Sequence, residues 1–295
     1  MALDTVTAKD ANSVKQEFIV AQDGSGSLAS ASVAVNTSGA AITGHGALDI
    51  ATGLVPGVTD VHKFGFNSTV PNGTFADIWT YGPTDNSYNW PTTTEKFRIK
   101  AGGNVNDAAA GSGAQNIVLE FLDATGVETV ETLATAGSSA SATTTVTGRR
   151  INRAYVSGVG TQFAANTGII LIENESTGAV VASIDEEMGQ TQTSMYTVPL
   201  GYTAYITRAE VEVAIGTNKD ADVRLWQREG AYETTAPFSS KRLVHQWEAI
   251  QGDASFRLVS YRPIPALTDI WMEAKGNGAT TSVDVNYDLF LVPSS

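Results

Sequence analysis

The sequence contains no cysteine. A disulfide framework and a thiolate metal site are therefore excluded, and stability has to come from packed β cores and from contacts between subunits. Histidine is scarce as well: His45, His62 and His245 lie far apart, and no pair has the i, i+4 or short-loop spacing of a zinc site. His245 sits inside a strand pattern, where a structural imidazole is the simpler reading. No apolar run approaches the roughly 18 residues that span a bilayer. The first ten residues lack the basic start and apolar run of a secretory leader, so no signal peptide is expected. Neither a Gly-x-Ser-x-Gly elbow, a phosphate loop nor a dinucleotide fingerprint occurs. With no paired acid site either, the expectation is a chain without cofactor, metal or enzymatic activity.

Positive charge is in short supply. Eighteen Lys and Arg against 31 Asp and Glu give a formal charge of −13, a field that repels phosphate backbones, so nucleic acid is not expected as a direct partner. Charged residues make up 17% of the chain and hydrophobic ones 42%, with 28 glycines and abundant Thr, Ala and Ser. That is the balance of strands, turns and packed surfaces rather than of soluble helices. The 295 residues exceed one typical domain of about 100–200, which points to two domains and an arm.

What the sequence does have is alternation. Residues 195–292 read as seven strands separated by turns. In residues 202–214, Tyr205, Thr207, Ala209, Val211 and Val213 fall on one face and Arg208, Glu210 and Glu212 on the other, the period of two that marks a half-buried strand. Residues 222–228, 243–250, 255–261, 269–274 and 282–292 repeat the pattern, and the turns hold residues such as Pro199-Leu-Gly201, Gly252-Asp253 and Gly276-Asn-Gly278. Such spacing argues for an antiparallel sandwich or jelly roll over residues 190–295. Residues 61–184 read as a first β-sandwich. In it, Asp123-Ala-Thr-Gly126 and Asn174-Glu-Ser-Thr-Gly178 each close a hairpin whose last loop residue is the glycine that a left-handed turn position favours. The expected fold is thus all-β, with two antiparallel domains and an extended N-terminal arm.

The arm, residues 1–60, has strand candidates at 14–21 and 28–35 that can pair as a hairpin, then a Gly-, Ala- and Thr-rich linker. Asp23-Gly-Ser-Gly26 lacks the further carboxylates of a calcium loop and reads as a turn. Phe18, Val20, Val33 and Val35 are apolar anchors with which the arm can add strands to another protein's sheet, so it is the candidate attachment device; a leader without fixed structure is the alternative.

Two other groups of residues stand out. Trp79, Tyr81, Tyr88 and Trp90 lie among Asn, Asp, Thr, Gly and Pro, and packing into the domain's own core, a subunit interface and a sugar-stacking surface all fit large rigid rings with polar neighbours. Arg149, Arg150 and Arg153 are the one basic cluster, and in so acidic a chain they are expected to pair with carboxylates of a neighbouring subunit, contact with DNA being the alternative. Edge strands of small sandwiches must be covered, which favours a closed homo-oligomer, most simply a trimer.

Residues His62 to Asn67, Asn106 to Ala114, Leu122-Asp123, Val127-Glu-Thr129 and Ile151-Asn-Arg153 carry a resemblance, as do residues 195–205, 218–225 and Arg228-Glu229. Together they resemble structural proteins of tailed bacteriophages, many of them marine, over residues 61–292. The resemblance implies a virion protein made in the host cytoplasm: a capsid-associated decoration, cement or head-fibre component, or else a neck or tail component that binds a receptor or glycan. Its implied partners are itself and the major capsid protein or another virion protein, with no membrane.

Overall fold

The computed structural model describes the backbone of residues 3–9, 15–22 and 28–29, and residues 50–81, 87–217, 219–257 and 261–294. It is nearly all β, as the alternation requires. The chain divides into two compact units, Met1–Asp60 and Val61–Ser295. In the first, β1 (Leu3–Lys9), β2 (Lys15–Gln22) and β3 (Leu28–Ala29) form an antiparallel meander in the order β1-β2-β3. The hairpin expected from residues 14–35 is there in β2 and β3, and β1 adds a strand with Val6 opposite Phe18 and Asp4 opposite Val20. Val33, Val35 and the Asp23–Gly26 turn lie outside the described residues.

The second unit holds two cores. One is enclosed by two sheets. The first of these contains β7 (Ala114–Asp123), β8 (Glu128–Ala134) and β9 (Gly148–Val159), the second β6 (Phe97–Ile99), β10 (Ile170–Asn174) and β11 (Val180–Ile184), in the orders β8-β7-β9 and β11-β10-β6. Phe97 and Phe121 meet edge to face at its centre, 5.4 Å apart. Both expected hairpins form, and their glycines take the left-handed conformation, Gly126 at φ +91 and Gly178 at φ +68.

The other core lies between two larger sheets. β12 (Tyr196–Thr197), β14 (Ala221–Arg228), β15 (Arg242–Ile250) and β17 (Asp269–Gly276) run in the order β12-β17-β14-β15, with β5 (Ala76–Asp77) beside β17. Facing them, β13 (Tyr202–Val213), β16 (Gly252–Arg257), β18 (Thr281–Pro293) and β4 (Thr59–Val70) run in the order β16-β13-β18-β4. Tyr287, Leu225, Ile206 and Ile270 are fully buried here. All seven strands expected of residues 195–292 are present. The sequence groups residues 61–81 with the first domain, whereas β4 and β5 hydrogen-bond into the sheets of the 190–295 half.

Two readings of the 195–292 pattern change in the structure. In β13 the pairing with β18 shifts between Ile206 and Arg208, so Ala204 and Ile206 point inward before the shift and Ala209, Val211 and Val213 after it. Tyr205 and Thr207 therefore do not share the face of Val211: a bulge adds one residue and reverses the side on which the pattern is read. The expected Gly252-Asp253 turn is in fact the start of β16, with Gly252 at φ +81 directly after Gln251.

Candidate functional site

The outer face of β14 and β17 is a ladder of matched cross-strand pairs. Asp222 faces Lys275, Arg224 faces Glu273, Trp226 faces Trp271 and Arg228 faces Asp269. Three of these pairs are ionic, at 2.9, 3.6 and 2.9 Å, and the fourth stacks its rings 6.4 Å apart. Opposite charges and aromatic rings set directly across a sheet stabilise the register. This face is not left to solvent. Trp90 packs against Trp271 at 5.4 Å, Tyr88 against Trp90 at 4.9 Å and Trp79 against Tyr88 at 5.0 Å, and Tyr81 meets Trp79 at 5.3 Å.

The four rings singled out in the sequence thus form one aromatic chain leading inward. Trp79 and Tyr88 are 3% and 7% exposed, and the Tyr88 hydroxyl donates to the Val181 carbonyl at 3.0 Å. Burial pushes that phenol's pKa well up. For Trp79 and Tyr88, packing into the protein's own core is what the geometry shows; Tyr81 and Trp90 are partly buried against them. Residues 82–86 of the same loop lie outside the described residues.

The arginines are spent within the chain as well. Arg150, 2% exposed, directs Nε and Nη2 at the two oxygens of Asp269 (2.9 and 3.1 Å) and gives its remaining hydrogens to the carbonyls of Pro91, Arg149 and Ala231. All five donors of the guanidinium are used, the arrangement that a buried charge demands. Burial opposes the charge, but Asp269 outweighs it and the pKa rises. Asp269 also accepts from Arg228 (2.9 Å) and from the Thr197 hydroxyl (2.7 Å). Arg149, likewise buried, donates to the carbonyls of Pro91 and Glu233, each at 3.1 Å, and lies over the Tyr232 ring. Arg153 is half-exposed, donates to Gln190 at 2.9 Å, and sits 3.9 Å from Glu120 and over Tyr155. The expectation of pairing across subunits is corrected for Arg149 and Arg150. They tie β9 to β17 and to the Ala231–Glu233 loop inside one chain: the neighbouring sheet brings Asp269 to Arg150 from 119 residues away, and the loop brings the Glu233 carbonyl to Arg149.

Several polar residues that the sequence did not single out are also internal. Lys63, 6% exposed, donates its ammonium to the Asn152 carbonyl. Burial first, and then Arg153, lower its pKa to about 7 against a small opposing pull from Glu120. Asp107 accepts from the backbone N–H groups of Ala114, Thr167 and Gly168 at 2.8 Å each. His245 lies flat on Phe256 at 4.0 Å, a structural imidazole whose pKa burial lowers. Among the described residues, no three His, Asp or Glu side chains converge to hold a metal ion.

No family model matches the sequence, and no curated protein matches it. Neither comparison supports the resemblance to tailed-phage structural proteins. Among solved structures there is weak similarity to viral capsid proteins. Infectious bursal disease virus Gt strain matches at 10% identity and a TM-score of 0.22, over 79% of this chain and 72% of the other. T=1 particles derived from that virus match at 9% identity and a TM-score of 0.23, over 79% and 69%. Superpositions this loose transfer neither fold nor role.

Proposed function

We propose that the chain is a non-enzymatic structural protein of a virion, a capsid-associated decoration, cement or head-fibre component that assembles with itself, most simply as a trimer. The observation that carries this reading is the division into a small β-meander unit, Met1–Asp60, and a compact body, Val61–Ser295. Such a division is what an attachment element and a separate body would need. At Arg150, Asp269 and Trp90 the charged and aromatic residues of the body are engaged with one another. Side chains tied up in this way build a rigid scaffold. A neck or tail component binding a glycan is the weaker reading, because the rings that would stack on sugar are engaged in the core.

The test is the copy number in particles released from the host that carries this gene. Quantitative mass spectrometry with imaging of labelled particles is expected to find tens to hundreds of copies on the head. A few copies at the neck or tail would favour the weaker reading. Complete absence from purified particles would remove the virion role.

A further inference from the structure

One loop cluster of the Val61–Ser295 unit displays side chains that a free surface has no reason to carry. Phe163 is 96% exposed and sits at φ +63, in the left-handed region. It is the third residue of a turn closed by Ala164 N–H to the Thr161 carbonyl at 3.1 Å, a position where glycine is the unstrained choice. A second turn, closed by Met188 N–H to the Asp185 carbonyl at 3.1 Å, repeats the arrangement with Glu187 at φ +63 and with Met188 half-exposed. Asn166, itself buried, locks the two turns together. Its amide donates to the Asp185 carbonyl at 2.7 Å and accepts from Gly189 N–H at 2.9 Å. A large aromatic ring is thus held out in water on a strained but braced turn, with the carboxylates of Glu186 and Glu187 on the neighbouring turn. Strain kept in a braced position is a mark of functional sites.

The complementary surface lies elsewhere on the same unit. Between residues of β13, β15 and β16 and the Arg262–Ile264 segment, a groove of about 660 Å³ has Ile206, Val244, Phe256 and Ile264 on its apolar side. Arg242 and Arg262 also line it; Arg242 is paired with Glu229, and Arg262 has no carboxylate partner among the described residues. On a chain with a net charge of −13, an apolar groove edged by the uncompensated Arg262 favours an acidic partner with an apolar anchor.

We propose that the Phe163 and Met188 turns of one copy dock into the Arg242 and Arg262 groove of a second copy, with Phe163 on the apolar side and Glu186 and Glu187 facing the arginines. The contact joins two different surfaces, so it is head-to-tail and closes a ring or extends a filament according to the rotation between copies. It rests on the self-assembly proposed above but not on the virion placement, which particle analysis tests separately.

Sedimentation velocity of the full-length chain over about 1–100 µM provides the test. The wild type is expected to sediment as more than one 31.0 kDa copy. Phe163→Gly removes the anchor and relieves the left-handed strain, so it should weaken association about thirtyfold or more while its unfolding temperature stays level or rises. Arg262→Glu should weaken association too, and mixing it with Phe163→Gly should restore a dimer, because one copy brings an intact anchor and the other an intact groove. A monomeric wild type, a Phe163→Gly variant that associates as the wild type does or unfolds earlier, or a mixture that stays monomeric would each overturn the proposal.

Discussion

Lys63 makes folding stability depend on pH in a range where few other groups titrate. Its folded pKa is about 7 and its unfolded value 10.5, so between those limits the unfolded chain binds the extra proton. Stability therefore rises with pH across the window. Each tenfold in proton affinity is worth about 1.4 kcal/mol, and burial of the ammonium costs the fold about 4–5 kcal/mol at pH 6 but about 2 kcal/mol at pH 9, both order-of-magnitude values. Lys63→Met keeps the length and removes the charge. It also leaves the Asn152 carbonyl without its donor, at about 1–3 kcal/mol regardless of pH. In urea titrations followed by tryptophan fluorescence, the stability of Lys63→Met relative to wild type should fall by roughly 2–3 kcal/mol from pH 6 to pH 9 at constant slope. The measurement stops at pH 9 because Tyr88, Tyr196 and Tyr232 have pKa values raised by burial, and the stability they contribute is lost once the pH passes the ordinary tyrosine value. A difference that stays flat across the range would refute the depressed pKa, and with it the picture of an ammonium closed inside the fold.

Breaking the buried pair at Arg150 with Asp269→Asn should cost about 3–5 kcal/mol by chemical denaturation, whereas Arg150→Met with Asp269→Leu should cost less than the two single changes added, since neither buried member of that pair is left alone and Arg228, which loses the same carboxylate, still reaches solvent. Gly113→Ala places a Cβ 2.2 Å from Asp107 Oδ1, disturbs the carboxylate that organises three backbone N–H groups, and should cost about 1–3 kcal/mol. Gly201→Ala meets no atom within 4 Å, and its cost should be about 1–2 kcal/mol from φ +88 alone, so the two variants separate crowding from backbone strain in one thermal-melt comparison. A chain lacking residues 1–60 should keep the β signal of the Val61–Ser295 unit in circular dichroism but fail to rebind particles stripped of the native protein; retained binding would move attachment into the body.

The sequence alone determined the strands. Side chains alternate along a strand whatever it pairs with, so the inward sets Val223, Leu225 and Gln227 of β14 and the glycine-closed hairpins at Gly126 and Gly178 were legible from local pattern. The candidate sites were legible as unusual residues but not as contacts. Arg149 and Arg150 are adjacent on β9, where strict alternation would send neighbours to opposite faces, but the pairing with β7 shifts between Leu122 and Asp123, Arg149 is the extra residue, and both guanidiniums reach the Pro91 carbonyl. Nothing in the spacing of residues 149–153 reports that Asp269 arrives from another sheet, nor that β4 joins β18 and β5 joins β17. Phe163 was hidden for the opposite reason: the four turn residues Thr161-Gln-Phe-Ala164 include no glycine or proline at the left-handed position, and the Asn166 bonds that hold this turn to the Asp185–Gly189 loop join residues distant in sequence. Strand formation depends on near neighbours in the chain. Sheet order, the Thr207 bulge and the company each polar group keeps depend on residues far away in sequence, and those the tertiary structure alone decided.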